Sequence, residues 1–200
     1  MRVDLDAVRA LWDAEAATFD AEPDHGLLSH DTRLAWWTVL SDLLPPPPAR
    51  VADLGSGTGS VALLLAEHGY QVSGMDLSPL MVQRATAKAA DAGLRVEFTV
   101  GDAAEPTLEP GGYDVVFARH VVWALPDPGV ALRRWAGLLA PAGRLVLIEG
   151  RWNTGAGLSA ADLRALVSPL TSSIDVTPLP DPTLWGKQTH DERYALLARF

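Results

Sequence analysis

The chain has 200 residues, enough for one domain with a real core; a chain of this size buries roughly 70% of the surface its unfolded form exposes. Hydrophobic residues make up 48% of it, which excludes a disordered tail, and the lack of cysteine excludes disulfides, thiolate metal sites and a cysteine nucleophile. A formal net charge of −9 argues against a nucleic-acid partner, because phosphate binding needs clustered Lys and Arg and Arg133–Arg134 is the only adjacent basic pair.

In chain order, Leu5, Val8, Leu11, Trp12 and Phe19 recur at helical spacings, so residues 4–19 read as a helix. Acids every few residues in this stretch argue against a signal peptide, and no apolar run approaches the roughly 20 residues that cross a bilayer. A soluble, cytoplasmic protein without a membrane partner is expected. Residues 21–31, AEPDHGLLSHD, read as a turn-rich loop, and residues 32–44 as a second helix with Leu34, Trp37, Val39 and Leu40 apolar. Pro45–Pro48 cannot continue a helix and stiffens into an extended spacer. It marks the expected seam between an amino-terminal helical cap, residues 1–48, and a main body, residues 49–200.

Beyond the seam, short apolar runs alternate with helical patterns. Strands are expected at 50–54, 71–75, 95–100, 113–118 and 143–148. Helices are expected at 60–68, 79–92 (ended by Gly93) and 130–139. The tail adds a helix at 159–167 and strand candidates at 173–177 and 193–200. Continuous apolar strands alternating with helices imply an α/β fold, a mostly parallel sheet covered on both faces. In such a sheet ligands bind outside the carboxyl ends of the strands, near the point where strand order reverses. That rule selects the loops starting at Asp53, Asp76, Gly101 and Arg119.

Gly55, Gly57 and Gly59 let the backbone approach a ligand and leave N–H groups for it. Asp76 closes the second strand about 20 residues on, where an acid accepts from ribose hydroxyls. Asp102 follows the third strand, placed to accept from an amino group. The spacing Gly55-x-Gly57-x-Gly59 meets neither the P-loop, which needs Lys and Ser/Thr after its last glycine, nor the dinucleotide fingerprint. Asp53 puts a negative charge beside the loop, which suits an ammonium or sulfonium centre better than a pyrophosphate.

At these motifs the sequence resembles the class I S-adenosylmethionine-dependent methyltransferases. VADLGSGTGS is similar to their glycine-rich motif, VSGMDLSPLMVQRA to their acidic second-strand motif, and VEFTVGDAAEPTL to the loop flanking the adenine. The stretch from Tyr113 to Gly150 resembles their fourth strand, following helix and fifth strand, with Leu139-Ala140-Pro141-Ala142-Gly143 in place of L-x-P-G-G. The resemblance spans Val51–Gly150. It implies a Rossmann-like seven-stranded sheet, S-adenosyl-L-methionine as cofactor and S-adenosyl-L-homocysteine as product.

It also implies roles. Gly55, Ser56, Gly57 and Gly59 form the cofactor loop, with Gly55 and Gly57 facing the methionine part. Asp53 orients the amino group, Asp76 binds the ribose hydroxyls, Leu77 and Met81 pack near the adenine, and Asp102 with the Ala103 N–H meets the adenine edge. Arg119 supports the methionine end. His120, just past the fourth strand, is the leading candidate for a base, the alternative being a histidine that bonds backbone or packs under the cap. His25, second, is a lid residue or an ordinary loop histidine. Trp12, Phe19, Trp123 and Trp152 are expected to line the acceptor pocket, and most of the other helix tryptophans to be core. An aromatic lining suits a flat or apolar small molecule, or a cation. The expected activity is methylation of a small aromatic or heterocyclic metabolite at nitrogen or oxygen, with no metal. Two alternatives stand beside it: a non-catalytic S-adenosylmethionine-binding module, and a nicotinamide-dependent reductase. The reductase lacks support, since Phe117 stands where a Tyr-x-x-x-Lys pair starting at Tyr113 needs lysine.

Overall fold

The computed structural model describes residues 4–200. In chain order the elements are α1 (Leu5–Glu15), α2 (Pro23–Gly26), α3 (His30–Leu43), β1 (Arg50–Leu54), α4 (Ser60–Glu67), β2 (Gln71–Asp76), α5 (Pro79–Asp91), β3 (Glu97–Val100), β4 (Tyr113–Arg119), α6 (Pro128–Ala136), β5 (Leu139–Arg151), α7 (Ala160–Val167), β6 (Ser173–Pro178), α8 (Pro182–Trp185) and β7 (Glu192–Arg199). Single 3-10 turns at Phe19–Ala21 and Val122–Ala124 complete the set.

The seven strands form one sheet in the order β3-β2-β1-β4-β5-β7-β6. Strands β1 to β5 pair in parallel, and β7 runs antiparallel between β5 and β6. This is the expected α/β, Rossmann-like sheet. Strand order reverses between β1 and β4, so the loops after these two strands open onto a shared crevice.

Successive strand residues point to opposite faces, and both faces are dry. Val51, Val115, Phe117 and Val146 pack on one side with Trp36, Leu40, Leu64 and Trp185. Ala52, Val116, Ala118, Leu145 and Leu147 pack on the other with Leu132, Trp135 and Leu163. Helix starts follow local chemistry. Ser78 Oγ accepts from the Met81 N–H and Asp127 Oδ1 from the Val130 N–H, each with proline at the next position.

Three expectations change. The helix expected at 4–19 ends at Glu15; the chain then turns through Phe19–Ala21 into α2, within the stretch read as a loop. The segment 139–143, read as a helix end and turn, is the start of β5, because Leu139 pairs with Tyr113 across a register shift before Arg144 pairs with Val115. Ala142 there holds φ +63°, a left-handed conformation that costs a side chain about 1–2 kcal/mol. Finally, of the cap expected over residues 1–48, residues 1–3 lie outside the described residues and the remainder divides in two. The α3 residues Trp36, Leu40 and Leu43 are buried in the main core, and Trp36 Nε1 donates to the Leu184 carbonyl at 2.8 Å. Only the segment from α1 through α2 overlies the crevice. Among the described residues, no helix is long and apolar enough to cross a membrane.

Candidate active site

The α1–α2 segment is fastened to the sheet body by side chains. Asp13 accepts from the Ser78 hydroxyl and, at 3.2 Å, from the Leu80 N–H at the start of α5. Asp20 accepts from Lys88 Nζ at 2.9 Å and from Thr58 Oγ1 at 2.5 Å, while Lys88 also donates to Ser60 Oγ at 2.9 Å. Beneath lies a cavity of about 540 Å³, within the usual range for small-molecule sites.

Its floor is the β1–α4 loop. Gly55 and Ser56 donate their N–H groups to the Met75 carbonyl at 2.7 and 2.9 Å, and Gly57 donates to Asp76 Oδ2 at 2.8 Å. These amides were expected to serve a ligand; they instead tie the loop to β2, and Gly55 and Gly57 line the cavity without side chains. A Cβ on Gly55 would sit 2.4 Å from Val121 Cγ2, and one on Gly57 3.1 Å from the Phe19 ring. Gly59, counted among the cofactor residues, does not line the cavity; a Cβ there would meet Phe98 at 2.7 Å and Ala85 at 2.9 Å, so its role is helix–strand packing.

The remaining cofactor candidates converge. Asp53, Ser56, Asp76, Leu77, Met81, Asp102, Ala103 and Arg119 all line the cavity. Asp102 Oδ1 also accepts from the Ala104 N–H at 2.8 Å. Asp53 Oδ2 and Ser56 Oγ are buried with no hydrogen-bond partner. Burial pushes the Asp53 carboxyl up to about 7, with Arg119 pulling it down and Asp76 adding to the rise. Burial also raises Asp76, against the N–H bonds from Ser78 and Gly57. A buried, unpartnered carboxylate beside a glycine loop calls for a cationic ligand group. An S-adenosylmethionine ammonium meets that need, and Asp76 at the end of β2 remains placed for ribose hydroxyls. The residues present therefore fit this cofactor.

The far end of the cavity is aromatic. His120, at φ +60°, follows β4 with its N–H donating to the Ile148 carbonyl at 2.9 Å. Both its ring nitrogens are buried without a partner. Burial, then Arg119, Arg193 and His25, holds its imidazole well below the usual 6.5, so the ring is neutral at pH 7. Its ring centroid lies 5.4 Å from Trp152 and 5.9 Å from Trp185, and Trp123 stands 5.3 Å from Trp152. On the cap side, His25 stacks on Phe19 at 4.3 Å, and Trp12 meets Phe19 edge-on at 6.4 Å. Burial lowers His25, although Asp24 opposes it. Trp12, Phe19, Trp123 and Trp152 thus all reach the cavity, whereas Trp36 is core and Trp37 stacks on His68 at 3.5 Å, away from it.

Sequence reasoning missed three residues. Trp185 and Arg193 line the acceptor end from the tail, beyond the recognised motifs. Glu149 is fully buried on β5, and its Oε1 accepts from the Val121 and Val122 N–H groups at 2.9 and 2.7 Å, holding the loop that carries His120 and Trp123. Burial pushes its carboxyl up to about 7 despite those bonds. The signal was present: a lone acid inside the apolar run RLVLIEG must find a partner when buried. Among the described residues, no group of three or more His, Asp or Glu is arranged to hold a metal.

Comparison with known proteins gives the same assignment. A family model described as a methyltransferase domain matches residues 52–147. The chain is 33% identical to a ubiquinone biosynthesis O-methyltransferase of Xanthomonas axonopodis pv. citri over 72% of its own length and 59% of that protein's. It is 38% identical to a demethylmenaquinone methyltransferase of Thermus thermophilus over 62% of its length and 57% of that protein's. The chain thus spans less than two thirds of either relative. Magnesium protoporphyrin IX methyltransferase of Synechocystis PCC 6803, solved with bound S-adenosylmethionine, superposes with a TM-score of 0.75 at 21% identity, covering 100% of this chain and 98% of that one. The [4+2]-cyclase SpnF superposes at 0.72 with 23% identity over 84% and 80% of the two chains, so the same fold also appears under the name of a different chemistry. Residues 52–147 thus match the methyltransferase-domain family, and the chain has the sheet of the class I S-adenosylmethionine-dependent methyltransferases.

Proposed function

We propose that this chain transfers a methyl group from S-adenosylmethionine to nitrogen or oxygen of a small aromatic or heterocyclic molecule. The observation that carries the reading is one cavity with two chemically different ends: Asp53, with an unpartnered buried oxygen, and Asp76 by the glycine loop, and a His120–Trp123–Trp152 wall backed by Trp185 opposite. The relatives' names, an O-methyltransferase of ubiquinone biosynthesis and a demethylmenaquinone methyltransferase, support a small-molecule acceptor.

When bound, the cofactor supplies a methyl group on a sulfonium, already an activated leaving group. The protein's work is then mainly alignment and water exclusion. Asp53 and Asp76 fix the cofactor's charged and hydroxylated ends. The indoles of Trp123 and Trp152 hold a flat acceptor, Trp185 backs that wall from the core, and the α1–α2 segment shuts out water. A neutral His120 accepts a hydrogen bond from an acceptor hydroxyl or amine and so orients its lone pair. Its lowered basicity makes it a weak general base, which favours this positioning role over proton removal. The test is to incubate the chain with S-adenosylmethionine and a library of phenols, heteroaromatics and amines while measuring S-adenosylhomocysteine release. Release with a flat aromatic acceptor is expected. Tight cofactor binding with no release from any acceptor would leave a binding module and sink the proposal.

A further inference from the structure

We infer that the acceptor carries a carboxylate on its ring, and that Arg193 recognises it. This inference rests on reading the cavity as a methyl-acceptor site, and narrows the substrate class.

Strand β7 delivers Arg193 into the cavity wall, where its side chain is only 9% exposed. Asp191 pins one edge of the guanidinium: Nη2 donates to Asp191 Oδ2 at 3.0 Å, and Asp191 is itself held by the Asn153 N–H at 2.8 Å. A guanidinium has five N–H donors in a flat fork, so one such contact orients it without exhausting it. Nε is buried with no partner. A buried donor left unpaired is costly to the folded chain, and a ligand acceptor removes that cost.

The neighbouring charges select the sign of the ligand. The guanidinium carbon stands 4.6 Å from the Trp185 ring and 5.7 Å from Trp152, so a cation already occupies these indoles. A cationic amine would meet repulsion where an empty aromatic box would attract it. The carboxylates at this end have partners of their own: Glu22 lies 3.4 Å from Lys187, and Asp24 sits beside the buried Arg119, which donates to its backbone carbonyl. The unmet need is for an anionic acceptor at Arg193 Nε, and a carboxylate meets it.

Geometry then couples the anion to the reacting atom. His120 and Arg193 flank the same two indoles, Trp152 and Trp185. An acceptor ring in the cavity beside Trp152 reaches toward Arg193 with its carboxylate and toward His120 with a hydroxyl or amine. The acceptor class is therefore a hydroxy- or amino-substituted aromatic carboxylic acid, bound with the group to be methylated at the His120 side.

The test uses the full chain saturated with S-adenosylhomocysteine. Calorimetry compares 2-hydroxybenzoate, 4-hydroxybenzoate and 2-aminobenzoate, each with its carboxamide. At least one acid should bind about 10-fold or more tightly than its amide, the scale of a charge-assisted hydrogen bond. Arg193→Gln should abolish that preference, and Arg193→Lys should keep part of it. Failure of every acid to outbind its amide in the unsubstituted chain overturns the inference, whether or not the Gln variant folds. So does a preference that survives in a folded Arg193→Gln. Release of S-adenosylhomocysteine with uncharged acceptors alone would keep the methyltransferase reading and still reject this one.

Discussion

Glu149→Gln tests how the loop above the glycines is held. The Glu149 carboxyl is protonated in the folded chain up to about pH 7, whereas it ionises near its ordinary 4.5 once unfolded. The folded chain therefore holds the extra proton between those values. This carboxyl's contribution to stability is fully present below 4.5 and is lost as pH rises through about 7. Glutamine copies the protonated acid in shape, keeps an oxygen to accept from Val121 and Val122, and cannot ionise. Urea unfolding of both proteins at about pH 5 and about pH 8 should show the Gln variant gaining about 2–3 kcal/mol on the unsubstituted chain across that interval. Other buried acids, Asp53 included, cancel in the difference. A stability difference that does not change with pH would refute the claim that burial governs this carboxyl. Glu149→Ala, by contrast, leaves two loop N–H groups without their acceptor and should destabilise by about 3 kcal/mol or more at any pH.

Gly55→Ala should cost about 1–2 kcal/mol from its left-handed backbone alone and should weaken cofactor binding, since its Cβ meets Val121. Adding Val121→Ala should recover part of the affinity in a calorimetric titration, but not the backbone cost. A chain that starts at Leu28 should stay folded by circular dichroism yet release no S-adenosylhomocysteine, because it loses the cover and keeps α3; full turnover would make the cover mere packing. At saturating cofactor, kcat/KM for the acceptor should stay flat as pH falls to about 6.5, with its acid limb below that value, as a buried and cation-flanked His120 requires. A limb centred near 6.5 or above would return His120 to the role of general base. His120→Asn should keep most of the rate if the ring only positions the acceptor.

What could be read from the sequence followed local rules. The β1 strand, glycine loop, α4 and Asp76 stand in order along a short stretch, and each is set by neighbours within a few residues. Asp53 was legible as a charge beside the glycine loop; Glu149 lies in no motif, and only the rule that a buried acid needs a partner would have found it. The helix that ends at Glu15 kept its apolar spacing as far as Phe19, but Phe19 packs against His25 and Gly57 from a 3-10 turn instead. Residues 139–143 became strand because Tyr113, far away in sequence, supplies the pairing partner. The α8 helix is four residues long, too short for any periodicity, and it carries Trp185 into the cavity. Arg193 alternates unremarkably along β7; only the packing of the tail against the β4 and β5 loops brings it to the acceptor end. The glycine-loop amides were misassigned because N–H groups freed from helix and sheet can be taken by a neighbouring strand, here by Met75 and Asp76.

The central claim is that the crevice at the β1–β4 switch point binds S-adenosylmethionine through Asp76 and serves no nicotinamide. Calorimetric titration of the unsubstituted chain and of Asp76→Ala, with S-adenosylmethionine and with NADH, tests it most directly. Binding of S-adenosylmethionine but not NADH is predicted, weakened by about 1–3 kcal/mol in a folded Asp76→Ala as the ribose hydroxyls lose a charged acceptor. Binding of NADH, or an affinity for S-adenosylmethionine untouched by the substitution, would contradict it.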